Sequence, residues 1–368
     1  MSSERPAAEV CESVDFDERV REQDPFLLDD FFSTRFRALN DAGDTAGLTE
    51  EAVAISEMVD FFLDAPYTRE QLYAAHRDFC FFTTALGTKG VDIEAYLEIR
   101  KAAKRLMEAT GEGPRDSVYT YMFRNPSDER MRTFTSNPSE RSLIRGFQMG
   151  MEYLFFAIEK AELLATTPEN SPQYAALCTD IISGLEGMVA GIREAKKIPP
   201  EVFMQVLRPY ADAISFEGKD YVGPGGAQIP VYLVDLMLWS SDLPDEWYAP
   251  YALHSADGGP PVYRELTKEL VGKPSALTRL IKGYEAGGAT EEAAQALRKC
   301  LLFLRKFRLT HFNLAKSTFA LREEGSVGSS GSPVTILEQI NGALEHAINR
   351  APGASGEVVP LRESPPAE

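Results

Sequence analysis

The chain has 368 residues, a formal net charge of −18 and 44% hydrophobic residues. A chain of this length can bury a large hydrophobic core, so it does not need metal ions or disulfide bonds as structural supports. The strong negative charge excludes a protein that binds nucleic-acid phosphates through a basic surface. The cysteines show neither CxxC pairs nor zinc-ligand spacing and are predicted to be free thiols in a reducing compartment: Cys11, Cys80, Cys178 and Cys300.

The sequence contains no segment that we expect to enter a membrane. Its N-terminal residues are polar and acidic, unlike a secretory signal. The longest apolar run, 231–239, includes Asp235 and is shorter than the roughly 20 residues that a spanning helix needs. We therefore predict a cytoplasmic protein with neither a membrane nor a nucleic acid as partner.

Helical periodicity dominates the chain and predicts an all-α fold. The segments 1–20 and 351–368 are predicted to be disordered tails because they lack a helical apolar pattern, and the second is rich in Pro, Gly and Glu. Between the tails we predict a small helical part at 21–125 and a larger, cofactor-binding part at 126–350. The join lies within 111–141, where Pro, Gly, Asn and Ser interrupt the helical pattern.

The individual helices follow from caps and apolar spacing. Thr68-Arg69-Glu70-Gln71 is a capping box that begins a helix through about Leu86. Further helices are predicted at about 50–64, 92–109, 139–166, 171–195, 199–213, 230–239, 261–271, 274–286, 290–323 and 333–349. Tyr119–Phe123 is the best candidate for a strand.

A single histidine lies on the apolar face of the predicted helix 290–323. The residues that recur there at helical spacing are Cys300, Leu304, Phe307, His311, Leu314 and Thr318. An imidazole in this position is either a hydrogen-bonded core histidine, the commoner case, or an axial ligand of a metal cofactor. The chain has only four histidines, none in HxH or HxxxH spacing. A cofactor with one protein ligand, such as haem, therefore fits better than a site that needs several histidines.

A second candidate region surrounds Arg208. Phe203 and Leu207 are four residues apart on a predicted helix, and Arg208 follows them before a proline. A guanidinium group suits bidentate binding of a carboxylate, although a surface salt bridge is the commoner role of such an arginine. The glycine-rich loop 221–228 would let a ligand approach the backbone, but it lacks the strand–GxGxxG–helix context of a nucleotide site.

Taken in order, four motifs resemble a known family. FxxVLR, a glycine-rich loop before an apolar helix, LRxFRxxH and a GSSG loop resemble the histidine-ligated haem dioxygenase superfamily, which includes indoleamine 2,3-dioxygenase and tryptophan 2,3-dioxygenase. The resemblance is closest to the PrnB-like branch of bacterial secondary metabolism. It runs from about Arg141 to Ile340 and implies an indoleamine 2,3-dioxygenase-like helical fold.

The resemblance also implies roles for individual residues. His311 would be the proximal ligand of the haem iron, Arg208 would pair with the substrate carboxylate, and Phe203 would pack on the substrate ring. The implied haem-edge residues are Gly225, Gly226 and Ala227. The implied distal-pocket residues are Leu143, Phe147 and Met151.

Three further positions carry expectations from the same resemblance. The loop Gly328-Ser329-Ser330-Gly331 stands in place of the family's GTGG loop, which closes over the substrate ammonium group and a haem propionate. Ser329 and Ser330 would be the hydrogen-bond donors of this loop. The alternative is that the loop is only a flexible connector, as such loops often are. His76 is the candidate for the distal histidine of tryptophan 2,3-dioxygenases, or else a hydrogen-bonded helix histidine. Ala315 stands where some relatives carry a haem-linking cysteine, so a noncovalent haem b is expected.

The implied function is oxidation of an indole. A haem-dependent oxygenase would use O2 to oxidise L-tryptophan, or a ring- or β-substituted tryptophan, in natural-product biosynthesis. The alternatives are a haem-dependent hydroxylase of a tyrosine-like phenol, a non-catalytic haem- or small-molecule-binding protein, and a helical scaffold. The sequence leaves open an external electron donor, the oligomeric state and the number of oxygen atoms inserted.

Overall fold

The computed structural model describes residues 8–243, 247–319 and 335–352. The helices of the first half are α1 (Ala8–Arg21), α2 (Asp29–Phe31), α3 (Arg37–Asp41), α4 (Thr45–Asp64), α5 (Arg69–Thr88), α6 (Leu97–Thr110), α7 (Pro138–Thr166) and α8 (Pro172–Ala195). Those of the second half are α9 (Pro200–Val202), α10 (Val231–Asp235), α11 (Tyr248–Asp257), α12 (Pro261–Leu270), α13 (Ala276–Glu285), α14 (Glu291–Phe319) and α15 (Thr335–Arg350).

Other local structure is brief. Turns of π-helix lie at Phe32–Phe36, Tyr119–Phe123, Phe203–Leu207 and Leu236–Ser240, and 3₁₀ turns at Ile93–Ala95, Arg208–Ala211 and Gly226–Gln228. Within the described residues, strands β1 (Ile214–Phe216) and β2 (Lys219–Tyr221) pair in one antiparallel hairpin. The predicted all-α class is confirmed.

Helix α5 is the centre of the N-terminal part. The predicted capping box is confirmed: the Thr68 hydroxyl accepts from the Gln71 N–H at 3.2 Å, and the Gln71 side chain accepts from the Thr68 N–H at 3.0 Å. All residues from Leu72 to Leu86 are buried, so this helix has no solvent face. Its internal charges are paired, because Asp78 accepts from the guanidinium groups of Arg77 and Arg132.

The N-terminal segment differs from the prediction for 1–20. Residues 8–21 form α1 rather than a disordered tail. The helix is held by burial of Phe16 and Val20, and the Phe16 ring meets the edge of Tyr73 on α5 with centroids 5.2 Å apart. Asp17 also accepts from Arg124 at 2.8 Å. The apolar residues of α1 do not line one face of the helix and so give little helical periodicity, which explains why the sequence pattern missed it.

The predicted strand at Tyr119–Phe123 is wrong, since these residues form a turn of π-helix. All five residues are buried. A segment enclosed on every side needs no alternation of polar and apolar residues, and its aromatic composition alone cannot distinguish a strand from a helical turn.

The β1–β2 hairpin follows the predicted helix 199–213, which ends early. After α9 the chain makes the π turn Phe203–Leu207 and the 3₁₀ turn Arg208–Ala211. Pro209 lacks an N–H group and cannot continue the helical ladder. The hairpin turn Glu217-Gly218 has φ values of 50° and 74°, which suit a tight two-residue hairpin.

Helices α7 and α8 pack closely through glycines. A Cβ atom at Gly191 would lie 2.7 Å from the carbonyl oxygen of Gly146, and one at Gly184 would lie 2.7 Å from that of Tyr153. By length and composition α8 is apolar enough to cross a membrane. In this structure α8 packs on α7 and α14, and the three helices form one wall of the C-terminal part.

The division at residue 125 stays a prediction. Contacts cross it, since the Gln148 side chain on α7 donates to the carbonyl oxygens of Met122 and Asn125 at 2.8 and 2.7 Å. The predicted tail 351–368 lies outside the described residues from 353 onward.

Closing the space at Gly184 should destabilise the protein. In Gly184→Ala the new methyl group would meet the backbone of α7, which cannot move without separating the helices, so we expect a loss of about 1–3 kcal/mol in the free energy of unfolding. Denaturant titration measures this. Gly342→Ala is the matched control, because a Cβ at Gly342 meets no atom within 4 Å, and this change should be neutral or stabilising. Equal stabilities of the two variants would contradict the packing argument.

Candidate active site

A mainly apolar cavity of about 470 Å³ lies between α7, α8, the π turn 203–207 and α14. Its volume falls within the range of about 300–1,000 Å³ that ligand pockets occupy. Residues that the sequence singles out meet in it: Leu143, Phe147, Met151, Phe203, Gly226, His311 and Ala315. These positions lie as much as 172 residues apart in the chain, so the fold brings them together.

His311 projects from α14 toward this cavity. The predicted apolar face of the helix is confirmed up to this point, since Cys300, Leu304 and Phe307 are all buried. Burial, together with the positive charge of Arg308 one helical turn earlier, lowers the pKa of His311 to about 4. The imidazole is therefore neutral at pH 7 and keeps a nitrogen lone pair.

The glycine-rich loop approaches the same imidazole. A Cβ atom on Gly226 would lie 3.3 Å from Nε2 of His311 and 3.5 Å from its Cε1. A side chain at this position would crowd Nε2 where His311 borders the cavity. Gly225 is buried beside it, whereas the side chain of Ala227 lies outside what the structure describes.

A buried carboxylate ties the helix of His311 to the rest of the site. Asp235, at the end of α10, accepts from the Trp239 indole N–H at 2.9 Å and from the Tyr248 hydroxyl at 2.6 Å. It also accepts from the guanidinium group of Arg308, and both partners of this ion pair are almost fully buried. Because Arg308 precedes His311 by one turn, the pair fixes the position of α14 beside the cavity wall formed by Val231 at the start of α10.

Arg208 lies beside the cavity-lining turn but is not one of the described lining residues. Its N–H donates to the carbonyl oxygen of Phe203, the i to i+5 bond that defines the π turn. The side chain is buried, and one guanidinium nitrogen donates to the carboxylate of Asp212. Its role toward a substrate stays a prediction.

His76 lies elsewhere. It is buried within α5, where Nε2–H donates to the carbonyl oxygen of Gly113 at 2.8 Å, and Nδ1 is 3.6 Å from a carboxylate oxygen of Glu112. Gly113 and Glu112 line a separate polar cavity of about 420 Å³. His76 is not among the described lining residues of the His311 cavity, and its contacts fit the alternative of a hydrogen-bonded helix histidine. A distal-pocket role for His76 stays a prediction. The sequence places His76 on a helix of the N-terminal part, and this position is compatible with a distal histidine and with a hydrogen-bonded helix histidine.

The predicted loop Gly328-Ser329-Ser330-Gly331 lies outside the described residues. Sequence reasoning missed other residues of the site. Asp235 and Arg308 both stand inside motifs that suggested the family, yet no spacing rule pairs residues 73 positions apart. Lys196, at the end of α8, was also missed; it is the charged side chain among the described lining residues of the His311 cavity, and it has no ion-pair partner there.

Removing the charge of Asp235 should lower the stability of the fold far more than removing an exposed charge does. Asp235→Asn leaves the guanidinium group of Arg308 buried without its counter-ion, which typically costs about 3–5 kcal/mol. The control is Lys197→Gln, which breaks the exposed Lys197–Glu194 pair and should cost less than about 1 kcal/mol. Thermal and denaturant unfolding measure both. A loss below about 1 kcal/mol in Asp235→Asn would show that the buried pair does not hold α14 in place.

The sequence profile of one known family covers most of these elements. The family described as monodechloroaminopyrrolnitrin synthase PrnB matches residues 95–339, more than half of the chain. The match includes α7, α8, the π turn 203–207, the glycine-rich loop and α14, which together form the cavity. This family indicates an oxygenase that modifies tryptophan in natural-product biosynthesis. The chain belongs to the monodechloroaminopyrrolnitrin synthase PrnB family.

Proposed function

We propose that this protein is a haem-dependent oxygenase that uses O2 to oxidise the indole ring of L-tryptophan or of a substituted tryptophan. The observation that carries the proposal is the imidazole of His311, with Gly226 beside its Nε2, in an apolar cavity that Phe203 also lines. Family membership supports the tryptophan-oxygenase class, and the haem and the exact substrate are what we add.

The residues around the cavity fit a haem on three counts. A neutral imidazole is the usual proximal ligand of haem iron, and His311 supplies one. The space that a Cβ would fill at Gly226 leaves the nitrogen accessible. The walls are mostly apolar, as a porphyrin face requires, and Lys196 offers a positive charge to a propionate. When bound, the haem would supply the activation of O2, which an indole cannot achieve alone.

The chain's own contribution would be positioning and exclusion of water. Phe203 and Phe147 offer aromatic faces to a flat bicyclic ring, and each aromatic pair contributes about 0.5–1.5 kcal/mol beyond its buried area. Leu143 and Met151 keep water away from the ring. Arg208 would bind the carboxylate of the amino acid, and such anchoring of a remote group orients the reacting edge of the indole.

A noncovalent haem is supported by the cysteine positions. Ala315, four residues after His311, lines the cavity and has no thiol. Cys80, Cys178 and Cys300 are buried free thiols, and none is among the described lining residues. Acid–organic extraction should therefore release the haem and leave a polypeptide of unmodified mass.

The ligand role of His311 predicts the effect of its removal. His311→Ala should lose stoichiometric haem binding, seen as loss of the Soret band after reconstitution, while far-UV circular dichroism stays that of the parent. The matched control is His346→Ala on the exposed side of α15, which should keep the band. Full haem occupancy in His311→Ala would exclude this residue as the ligand.

The substrate class predicts the outcome of turnover with labelled dioxygen. L-Tryptophan should perturb the Soret band and yield a product with oxygen from O2 on its pyrrole ring, detected by mass spectrometry. One labelled atom would indicate hydroxylation or oxindole formation, and two would indicate ring opening. Turnover of tyrosine without any response to indole amino acids would instead identify a phenol hydroxylase, and a Soret band without turnover of either would identify a haem-binding protein.

A further inference from the structure

Arg208 holds a carboxylate of its own chain. One guanidinium nitrogen donates to Oδ1 of Asp212, four residues later, across the end of the 3₁₀ turn. The two side chains differ in environment: 6% of the Arg208 side chain is exposed but 60% of that of Asp212. The carboxylate is thus solvated while the cation is buried, so the carboxylate can leave the pair at little cost in solvation.

The guanidinium group is also incompletely satisfied. Its Nε is buried and has no hydrogen-bond partner among the residues that the structure describes. An arginine forms its strongest carboxylate contacts through two parallel N–H donors. The bond to Asp212 uses one nitrogen, so a second carboxylate with better geometry could bind more strongly than Asp212 does.

Hydrogen bonds from Arg115 hold the backbone around Asp212, but they do not involve its side chain. The Arg115 guanidinium group donates to the carbonyl oxygens of Tyr210 and Asp212, holding this turn from the inner side. Rotation of the Asp212 side chain therefore needs no movement of the main chain. Arg208 keeps its place through the backbone bond to Phe203, on a turn whose aromatic ring lines the cavity.

From these contacts we infer that Asp212 is a built-in competitor for the substrate carboxylate at Arg208. This inference rests on the proposed function, in which Arg208 binds the carboxylate of an aromatic amino acid. In the empty protein Asp212 occupies the guanidinium group, and a bound amino acid displaces it into solvent. Asp212 is thus a specificity-determining residue: it lowers the affinity for every carboxylate ligand and leaves ligands without a carboxylate unaffected.

The test measures binding without turnover. The full chain as purified is titrated with L-tryptophan and with tryptamine by isothermal calorimetry under nitrogen. Asp212→Asn should bind L-tryptophan roughly two- to fivefold more tightly than the parent, the range expected for losing an ion pair with one exposed partner. The affinity for tryptamine should not change, because it lacks the carboxylate.

Two variants distinguish competition by the Asp212 carboxylate from a general effect of negative charge on ligand affinity. Glu201→Gln removes one negative charge from α9, two residues before Phe203, at an exposed side chain that forms no ion pair among the residues that the structure describes. It should leave both affinities unchanged. Asp212→Glu restores a carboxylate within reach of Arg208 and should return the affinity for L-tryptophan toward that of the parent.

The outcomes are distinct. Equal or weaker binding of L-tryptophan by Asp212→Asn, with a parent that binds it, would overturn the competition and leave the proposed function intact. Tighter binding of both ligands, or the same gain in Glu201→Gln, would overturn it as well, since the effect would then be one of general charge. If neither parent nor variant binds L-tryptophan, the inference fails together with the proposed substrate.

Discussion

The site depends on one buried ion pair, between Asp235 and Arg308. Neither charge has access to water, so each is stable only while the other stays in contact. The pair joins the end of α10 to the middle of α14, and Trp239 and Tyr248 complete the hydrogen bonds of the carboxylate. Since His311 follows Arg308 by one helical turn, the ion pair sets where the imidazole stands relative to the glycine-rich loop. Burial keeps that imidazole neutral, and the positive charge of Arg308 adds to this effect.

The cavity wall formed by α7 and α8 depends on glycines, which have no side chains. Gly146 and Gly150 of α7 meet Gly191 of α8 at distances that would not admit a Cβ on Gly191. The same three residues line the cavity. The same glycines therefore let the two helices approach closely and leave a smooth backbone surface inside the cavity. A flat ligand can lie against such a surface without competing for space with side chains.

Much of the fold and part of the candidate site could be predicted from the sequence, wherever a feature depends on residues close together in the chain. The capping box at Thr68, the long helices and the apolar face that carries His311 all follow from spacings of three or four residues, and the motif order gave the family before any geometry was known. The misses have physical causes. Helix α1 depends on contacts with α5 rather than on its own periodicity, and Tyr119–Phe123 is enclosed on every side. His76 was ambiguous because a helix histidine and a distal histidine have the same local sequence pattern. The Asp235–Arg308 pair joins residues far apart, which no local pattern reports.

The π turn Phe203–Leu207 has an evolutionary consequence. A π turn is an α-helix that has gained one residue, and such turns are often found at functional sites. Loss of a single codon between Phe203 and Arg208 would leave these residues four positions apart, a spacing that an α-helix of 3.6 residues per turn places on one face. An α-helical turn of that length would therefore keep Arg208 near Phe203, and the walls built by α7, α8 and α14 would stay as they are. A lineage could thus gain or lose the extra residue of the π turn in one step, with no change in the residues that line the cavity.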